Sequence, residues 1–169
     1  MQPDTESLVT ETIELSLLAG IHPNGQPVLE KVRALAQSSS NTYRLLQSPL
    51  FATGAACGDL IEMLNNNPGR FRVRERSGQL AVRVLCRDDI AAIAEELTPA
   101  VEKLGGTLDV QMPRALVYSI HVAIGFSEIE SVFDATLSAS NVAQWSYGNV
   151  YETETGAPLN WWLGMLGME

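Results

Sequence analysis

The stretch that decides the fold is LAVRVLCRDDIAAIAEELTPAVEKLGGTLDVQM, residues 80–112. Its first six residues alternate as a strand does, and TLDVQM at its end, residues 107–112, predicts a second strand. The apolar residues between them recur at helical spacing; they are Ile90, Ile93, Leu97, Val101 and Leu104. Pro99 predicts a kink or a restart of this helix, and Gly105 predicts its end. The stretch therefore predicts a strand–helix–strand unit.

The residues that follow predict a second unit of the same kind. ALVYSIHVAI, residues 115–124, alternates over nearly its whole length and predicts a strand. SEIESVFDATLSAS, residues 127–140, predicts a helix that opens with a capping box of Ser127 and Glu130. AQWSYGNVYE, residues 143–152, predicts the last strand. The order of elements over residues 80–152 is typical of the ferredoxin-like βαββαβ arrangement, with one face of the sheet under both helices.

Residues 1–79 predict a β-rich subdomain. ETIELSLLAG, residues 11–20, alternates as a strand, and Asn24-Gly25 is a strong hairpin signal. Residues 26–37 fit a returning strand or a short helix, and the turn before them favours the strand. Shorter strands are predicted at 42–46, 60–63 and 71–76, the last of them joined at Ser77-Gly78 to the strand at residue 80. The fold class is therefore α+β, with a small antiparallel sheet or partial barrel before the ferredoxin-like unit.

YRLLQSPLFATGAACGDLIEM, residues 43–63, contains a run of small residues that could form a phosphate loop, a catalytic turn or a bend. No Gly-Lys-Ser or Gly-Lys-Thr follows, and Asp59 would repel a phosphate. A bend between two strands is the better interpretation. Gly58 permits backbone angles that other residues resist, and Asp59 is expected to accept hydrogen bonds from the turn's own amides.

Residues 153–169 form an apolar tail that ends in PLNWWLGMLGME, residues 158–169. Asn160 is expected to cap a short helix there. The favoured interpretation is that the tail packs over the protein's own core. The alternative is that Trp161 and Trp162 are exposed anchors for a partner protein, since tryptophan is favoured in binding hot spots.

The residue types needed for catalysis or for metal binding are scarce. His22 and His121 are the only histidines, and neither has a second ligand at metal-binding spacing. Cys57 and Cys86 are expected to be reduced and packed. An enzyme would require Cys57 and His121 to lie close together in space. We therefore expect no catalytic residue, no metal and no cofactor.

Charged pairs and stripes along the chain have structural interpretations. The paired acids Asp88-Asp89 and Glu95-Glu96 are expected in the first turns of the helix, where they complement its dipole. An arginine stripe is made by alternate residues; they are Arg70, Arg72, Arg74 and Arg76. In a strand these project from one face, where they could bind phosphates. Pairing with the protein's own acids is the favoured interpretation.

The chain as a whole is acidic, with a net charge of −9. Residues 115–169 contain six acidic residues and no lysine or arginine. Such a surface repels nucleic acid and anionic lipid and attracts a basic partner. Residues 1–14 lack the features of a signal peptide, and no apolar run is long enough to span a membrane. A cytoplasmic protein without nucleic-acid or membrane partners is expected.

The chain contains several distinctive short motifs. They are Asn24-Gly25-Gln26-Pro27, Tyr43-Arg44-Leu45, Ser48-Pro49-Leu50-Phe51-Ala52, Gly54, Ala56, Gly58-Asp59, Arg76-Ser77-Gly78 and Val82-Arg83-Val84. Together they resemble a bacterial family, the domain-of-unknown-function family 4265. The likeness runs from about Ile13 to Tyr151, and Gln47 and Leu50 depart from the usual pattern. The family has no established activity, so the resemblance carries over no catalytic roles. It implies a stand-alone bacterial cytoplasmic protein, and small domains of this kind often serve as immunity proteins beside secreted toxins.

These observations favour a non-enzymatic binding protein, an immunity protein that neutralises a cognate toxin by covering its active site. The acidic residues expected to fill a basic cleft on the toxin are Glu128, Glu130, Asp134, Glu152 and Glu154, with Trp161 and Trp162 as further partner-binding residues. The alternative is a small-molecule-sensing regulatory domain that binds its effector between a helix and a strand.

Overall fold

The structure, a computed structural model, describes residues 11–167. Predictions for the first ten residues and for Met168 lie outside the described residues. The described chain is α+β, with two antiparallel sheets and three α-helices. The predicted fold class is therefore confirmed at this level.

The first sheet is a meander whose strands lie in chain order. Its strands are β1 (Thr12–Ile21), β2 (Pro27–Ala36), β3 (Thr42–Leu45), β4 (Leu60–Met63) and β5 (Phe71–Glu75). The Asn-Gly hairpin joins β1 to β2, where the amide of Gly25 donates to the carbonyl of His22 at 2.8 Å. The preference for a strand over a helix at residues 26–37 is confirmed. β1 and β5 form the two edges, and the amide of Leu18 donates to the carbonyl of Gly69 at 2.9 Å between them.

The second sheet is formed by the later part of the chain, in the order β7-β8-β6-β9. Its strands are β6 (Gln79–Cys86), β7 (Thr107–Met112), β8 (Ala115–His121) and β9 (Ala143–Tyr147). The helices are α1 (Ala91–Lys103), α2 (Phe126–Leu137) and α3 (Trp162–Met165), with a 3-10 helix at Val122–Ile124. Every paired strand in both sheets is antiparallel to its neighbour.

The main hydrophobic core lies between the second sheet and α1 and α2. Alternate residues of β6 and β8 face the helices, as the alternation of side chains along a strand requires. Val82, Tyr118 and Phe133 are fully buried in this core. The ring of Phe133 from α2 meets that of Tyr118 edge-on, with 5.7 Å between the ring centroids. This edge-to-face packing adds to the apolar burial.

The opposite face of the second sheet is covered by the segment between β3 and β4. Leu50 of that segment packs on Ala115 and Val117 of β8. Residues 115–120 are therefore buried on both faces of the sheet. The first sheet has its own core, in which Leu17, Val32 and Ile61 are fully buried.

Two predictions about α1 need correction. Asp88 and Asp89 precede the helix, and Asp89 accepts a hydrogen bond from the amide of Ala91 at 2.8 Å, while Glu95-Glu96 lie in its second turn. Of the kink or restart predicted at Pro99, the restart does not occur, since α1 continues through that residue. Buried Leu97 and Val101 on either side hold the helix against the sheet and offset the missing proline N–H.

Three predicted element ends are also wrong. The Ser127–Glu130 capping box does not form, because α2 begins at Phe126 with Gly125 in the N-cap position. The strand predicted to reach Ile124 ends at His121 and passes into the 3-10 helix. β9 ends at Tyr147 instead of residue 152.

The early end of β9 has a local cause. The buried side chain of Asn149 takes over the pairing that the strand would have made with β6. Its Oδ1 accepts from the amide of Ala81 at 2.9 Å, and its Nδ2 donates to the carbonyl of Gln79 at 2.9 Å. A side chain that bonds to backbone groups competes in this way with a strand ladder.

Candidate functional site

The bend between β3 and β4, residues 46–59, is the meeting point of the two sheets. It is packed against backbone, and Ala52, Ala55 and Ala56 are almost fully buried. Gly58 has a φ of 85°, and a Cβ there would lie 2.8 Å from the Cβ of Ser77. Small residues and a positive φ are therefore required for this close approach. The interpretation of this stretch as a bend is confirmed.

Asp59 is a fully buried carboxylate that ties the bend to the crossing between the sheets. Oδ2 accepts from the amide of Ala56 at 3.0 Å, as predicted for the turn's own amides. Oδ1 also accepts from the amide of Ser77 at 2.9 Å, and Arg76 lies 3.6 Å from Oδ2. Burial raises the pKa of Asp59, and these hydrogen bonds and the guanidinium oppose the increase.

A chain of hydrogen bonds under the bend connects Asp109 to Cys57. Asp109 Oδ2 accepts from the Ser119 hydroxyl and from the amide of Ser48 at 2.8 Å. The Ser48 hydroxyl shares a 2.6 Å hydrogen bond with Ser119 and accepts from the amide of Cys57 at 2.9 Å. A bulge in β7 between Leu108 and Val110 marks the position of Asp109. Bulges of this kind change the direction in which a side chain points.

Cys57 is not activated as a nucleophile by these surroundings. Burial, together with the charges of Asp109 and Asp59, raises the pKa of the thiol to about 11. His121 lies at the end of β8, where its Nδ1 accepts from the amide of Ala123 at 3.0 Å. Within residues 11–167 no hydrogen bond joins this imidazole to the thiol. Cys57 and Cys86 are free thiols, as predicted.

Glu30 of the first sheet and Arg83 of the second sheet both bind backbone groups of the bend, within residues 50–52. The Glu30 carboxylate accepts from the amides of Leu50 at 2.6 Å, Phe51 at 2.9 Å and Ala52 at 2.8 Å. Arg83, which is 9% exposed, donates to the carbonyl of Ala52. Burial lowers the pKa of Arg83, and the charge of Glu30 opposes that shift. The two side chains therefore satisfy donors and acceptors of one loop with complementary charges.

A groove of about 490 Å³ lies beside the bend, between the edges of the first sheet and residues 153–159. Its apolar walls include Leu18, Phe71, Val73 and Leu159. Its polar groups are few; they are Thr53, Arg70, Arg76, Thr153 and Glu154. A concave, mainly apolar site with a few polar groups is the usual form of a small-molecule site.

Arg76, one of the lining residues of this groove, is held by several contacts. It donates to the carbonyl of Gly54 at 2.7 Å and pairs with Asp59. Its guanidinium carbon lies 5.4 Å from the centre of the Trp161 ring, which is a cation–π distance. The other members of the stripe that pair with an acid are Arg72 and Arg74, both with Glu62. Pairing of the stripe with the protein's own acids is confirmed for these three arginines.

Two further cavities lie at the far end of the second sheet. One, of about 360 Å³, is lined by the exposed side chains of Phe51, Leu85 and Met112. The other, of about 330 Å³, is lined by Arg87, Val142 and Trp145 among others. Among residues 11–167 no three His, Cys, Asp or Glu side chains are grouped so that they could hold a metal ion. In the same part of the chain, no helix has the length and apolar character needed to span a membrane.

The predicted acidic residues lie on two elements. Glu128, Glu130 and Asp134 belong to α2, and Glu152 and Glu154 are exposed on the segment after β9. Of the three acids on α2, Glu130 and Asp134 accept hydrogen bonds from side chains of β9, and Glu128 accepts none from the described residues. Asp134 accepts from the indole N–H of Trp145 at 2.9 Å, and Glu130 accepts from the hydroxyl of Tyr147 at 3.4 Å. Glu152 accepts from the hydroxyl of Thr155 at 2.8 Å.

The acids of α1 and α2 together form an unneutralised surface, which we call the acidic helix face. Its members are Glu95, Glu96, Glu102, Glu128, Glu130 and Asp134, and the two helices carry one base, Lys103. Within the described part of the chain none of the six forms an ion pair. In the first sheet, by contrast, Glu14 pairs with Lys31, and Glu62 pairs with Arg72 and Arg74.

The tail packs on the protein's own core, as the favoured interpretation predicted. Trp162 is 9% exposed and meets the ring of Phe126 at 5.2 Å. Trp161 is half-buried and donates to the carbonyl of Asn149 at 2.8 Å. Trp162 therefore offers little surface to a partner. The predicted cap is wrong, because the N-cap of α3 is Trp161 and Asn160 adopts a φ of 61°.

Sequence reasoning missed the roles of Glu30, Arg83 and Asp109. One signal was present, since Arg83 lies in the otherwise apolar run LAVRVL. An arginine in such a strand indicates a buried charge with partners, because unpaired buried charge is costly. The groups that bind Arg83 lie in the bend, about thirty residues earlier in the chain, so the sequence around Arg83 could not identify them.

A known protein shares the fold of this chain, and a family model matches its sequence. The solved structure of a hypothetical protein from Neisseria gonorrhoeae matches with a TM-score of 0.63 and 15% sequence identity, over 82% of this chain and 94% of that chain. At this identity the likeness concerns the fold alone. No match was found among curated proteins. The family model of the domain of unknown function DUF4265 matches residues 30–145, which include the bend, Glu30, Arg83, α1 and α2. The chain therefore belongs to the DUF4265 family.

Proposed function

We propose that this protein is a non-enzymatic binding protein that uses the acidic helix face to engage a basic partner protein. In the specific form of this proposal, it is an immunity protein that covers the basic cleft of a cognate toxin. The observation that carries the proposal is the absence of ion pairs on the six acids of α1 and α2, within the described residues. Like charges on two neighbouring helices attract a basic partner from a distance.

Two of these acids are oriented before any partner binds. The bonds from Trp145 and Tyr147 fix Asp134 and Glu130 at the side of α2 that faces β9. An ordered side chain loses less conformational freedom on binding than a mobile one does. Glu152 and Glu154 extend the negative surface along the loop between Tyr151 and Pro158. An isolated β-bridge between these two residues closes that loop.

We also infer that the second sheet with α1 and α2 is a ferredoxin-like unit. Its strand order, β7-β8-β6-β9, and its antiparallel pairs support this inference. So does the position of both helices against one face of the sheet. Such a unit holds two helices side by side as a rigid platform. The acidic helix face is thereby presented without dependence on loops.

The test is co-expression in a bacterium with the product of the neighbouring gene. The informative variant carries Glu95→Lys, Glu96→Lys and Glu128→Lys, three exposed acids that the structure shows in no hydrogen bond or ion pair within residues 11–167. Protection is expected to be lost, and the association rate measured at low salt is expected to fall about tenfold or more.

The matched control reverses three exposed acids in or next to the first sheet. Glu11→Lys, Glu14→Lys and Glu75→Lys change the net charge by the same amount but leave the helices untouched. This variant is expected to protect cells as the unchanged protein does. Equal protection by both triple variants would show that the acidic helix face does not bind the partner.

The second candidate is a small-molecule-binding domain, and the groove beside the bend favours it. The sequence-based hypothesis placed such a ligand between a helix and a strand. That space is filled by Ile129, Phe133 and other core side chains. The groove lies instead at the edges of the first sheet. A ligand that binds there would raise the melting temperature in the absence of a protein partner.

A further inference from the structure

We propose that the groove between β1, β5 and residues 153–159 binds a small amphipathic monocarboxylate, with the apolar body inside and the carboxylate at Arg70. This inference rests on the small-molecule candidate and is independent of the acidic helix face. It names the chemical class of ligand and the residues that select it.

The groove exists because the first sheet curls without closing. Its edge strands, β1 and β5, approach each other at the hydrogen bond from Leu18 to Gly69. A bulge in β1 between Leu18 and Gly20 bends that strand at the same point. No ladder pairs β1 with β5 in the described chain, so a gap remains between the two edges.

The inside of the gap suits an aliphatic or aromatic body. Leu18 and Leu159 line it, and Phe71 and Val73 at its base pack on the first sheet's core. Its volume of about 490 Å³ lies within the usual range for small-molecule sites. Apolar surface buried by a ligand there is the main source of affinity.

The charged groups that line the groove favour a ligand with a single negative charge. The charge of Arg76 is already balanced by Asp59, which lies 3.6 Å away. Arg70 is exposed and forms no ion pair with a described residue, so it contributes an unbalanced positive charge. A carboxylate can accept two hydrogen bonds from one guanidinium.

Glu154, which also lines the groove, limits the negative charge that a bound ligand can carry. A second negative charge on the ligand would be repelled by this carboxylate, which disfavours phosphate dianions. The presence of both Arg70 and Glu154 in the lining therefore favours a monoanion. Removal of the Arg70 charge is expected to weaken binding of the ligand, and removal of the Glu154 charge is expected to strengthen it. A non-specific apolar site would show neither change.

The experiment compares octanoate, octanol and octylamine by calorimetric titration of the full chain. Octanoate is expected to bind saturably and more tightly than the other two. Arg70→Gln is expected to weaken octanoate binding about tenfold or more, since a charge-assisted hydrogen bond is lost. Glu154→Gln is expected to strengthen it several-fold. Leu159→Trp, which fills the groove from its exposed rim, is expected to abolish binding.

The control variant is Arg87→Gln, which removes an exposed arginine that lines a different cavity. It is expected to bind octanoate as the unchanged protein does. If octylamine or octanol binds as well as octanoate, or if Arg70→Gln and Arg87→Gln behave alike, the monocarboxylate inference is overturned. If none of the three compounds binds, the small-molecule candidate itself is overturned, while the acidic helix face keeps its separate test.

Discussion

Truncation of Glu30 should uncouple the bend from the first sheet and destabilise the whole protein. Its carboxylate accepts from three consecutive amides, those of Leu50, Phe51 and Ala52. Two of these residues are almost fully buried. After Glu30→Ala, water cannot easily replace the carboxylate at their amides. Arg83, on the other side of the loop, also loses the opposite charge that it faces.

The magnitude follows from these contacts. Loss of a hydrogen bond to a charged group costs about 1.5–3 kcal/mol. The amide of Phe51 belongs to a half-exposed residue and can bind water, so two of the three bonds carry most of the penalty. Glu30→Ala should therefore cost about 3–6 kcal/mol of unfolding free energy. Glu30→Gln keeps an oxygen acceptor but not the charge, and should cost about 1–2 kcal/mol.

The measurement is urea unfolding followed by tryptophan fluorescence, with the free energy taken from the midpoint and the slope. All three tryptophans lie after residue 144, in or beside the second sheet, whereas Glu30 lies in the first. A shift of the fluorescence midpoint therefore reports coupling across the bend. The control is Glu14→Ala, whose side chain is 67% exposed and lies 3.8 Å from Lys31. It should change stability by less than about 0.5 kcal/mol.

If Glu30→Ala and Glu14→Ala gave the same fluorescence midpoint, the proposed role of the carboxylate would be refuted. A large change in circular dichroism without a change in fluorescence would also contradict the reasoning. That result would mean that the first sheet unfolds without effect on the second.

Three further outcomes follow from the same region. In a Cys86→Ala background, Cys57 should react with iodoacetamide at pH 8 about 100-fold more slowly than a thiol of pKa 9.0, because a pKa of about 11 leaves that much less thiolate; equal rates would contradict the raised pKa. Burial raises the pKa of Asp109 in the folded protein above 3.8. Between pH 3.8 and the raised pKa, the folded protein holds a proton that the unfolded chain releases, so stability relative to Asp109→Asn should fall as pH rises through this range. A constant difference in urea midpoint between the two proteins would refute this. A Cβ at Gly148 would lie 2.6 Å from a buried guanidinium, so Gly148→Ala should lower the unfolding free energy by about 1–3 kcal/mol, whereas Gly20→Ala, with no heavy atom near its Cβ, should change it little in the same urea assay.

The strongly periodic parts of the fold were predictable because one face of each element is buried. β7 was predicted residue for residue, since TLDVQM is bounded by glycine and proline. α2 was predicted from its apolar spacing, but its ends were not. A helix end depends on which backbone groups find partners, and Gly125 replaced the expected Ser127 as the N-cap residue.

The bend was predictable in outline but its partners were not. Small residues require a close approach to something, and Asp59 beside a turn usually bonds to that turn. Its second set of bonds, to Ser77, depends on where β5 ends and β6 begins. Glu30 and Asp109 reach the bend from other strands. Such contacts depend on the relative placement of whole elements, which periodicity does not determine.

Charge patterning shows the same division most clearly. The alternation of arginines correctly indicated that Arg72 and Arg74 share one strand face, where both meet Glu62. The alternation rule holds while the strand continues, and β5 ends at Glu75. Arg76 therefore leaves the shared face and turns to Asp59 and Trp161 at the junction of the sheets. A sequence repeat can continue past the end of the strand to which its alternation applies. The first member beyond that end, here Arg76, then has different partners from the members within the strand.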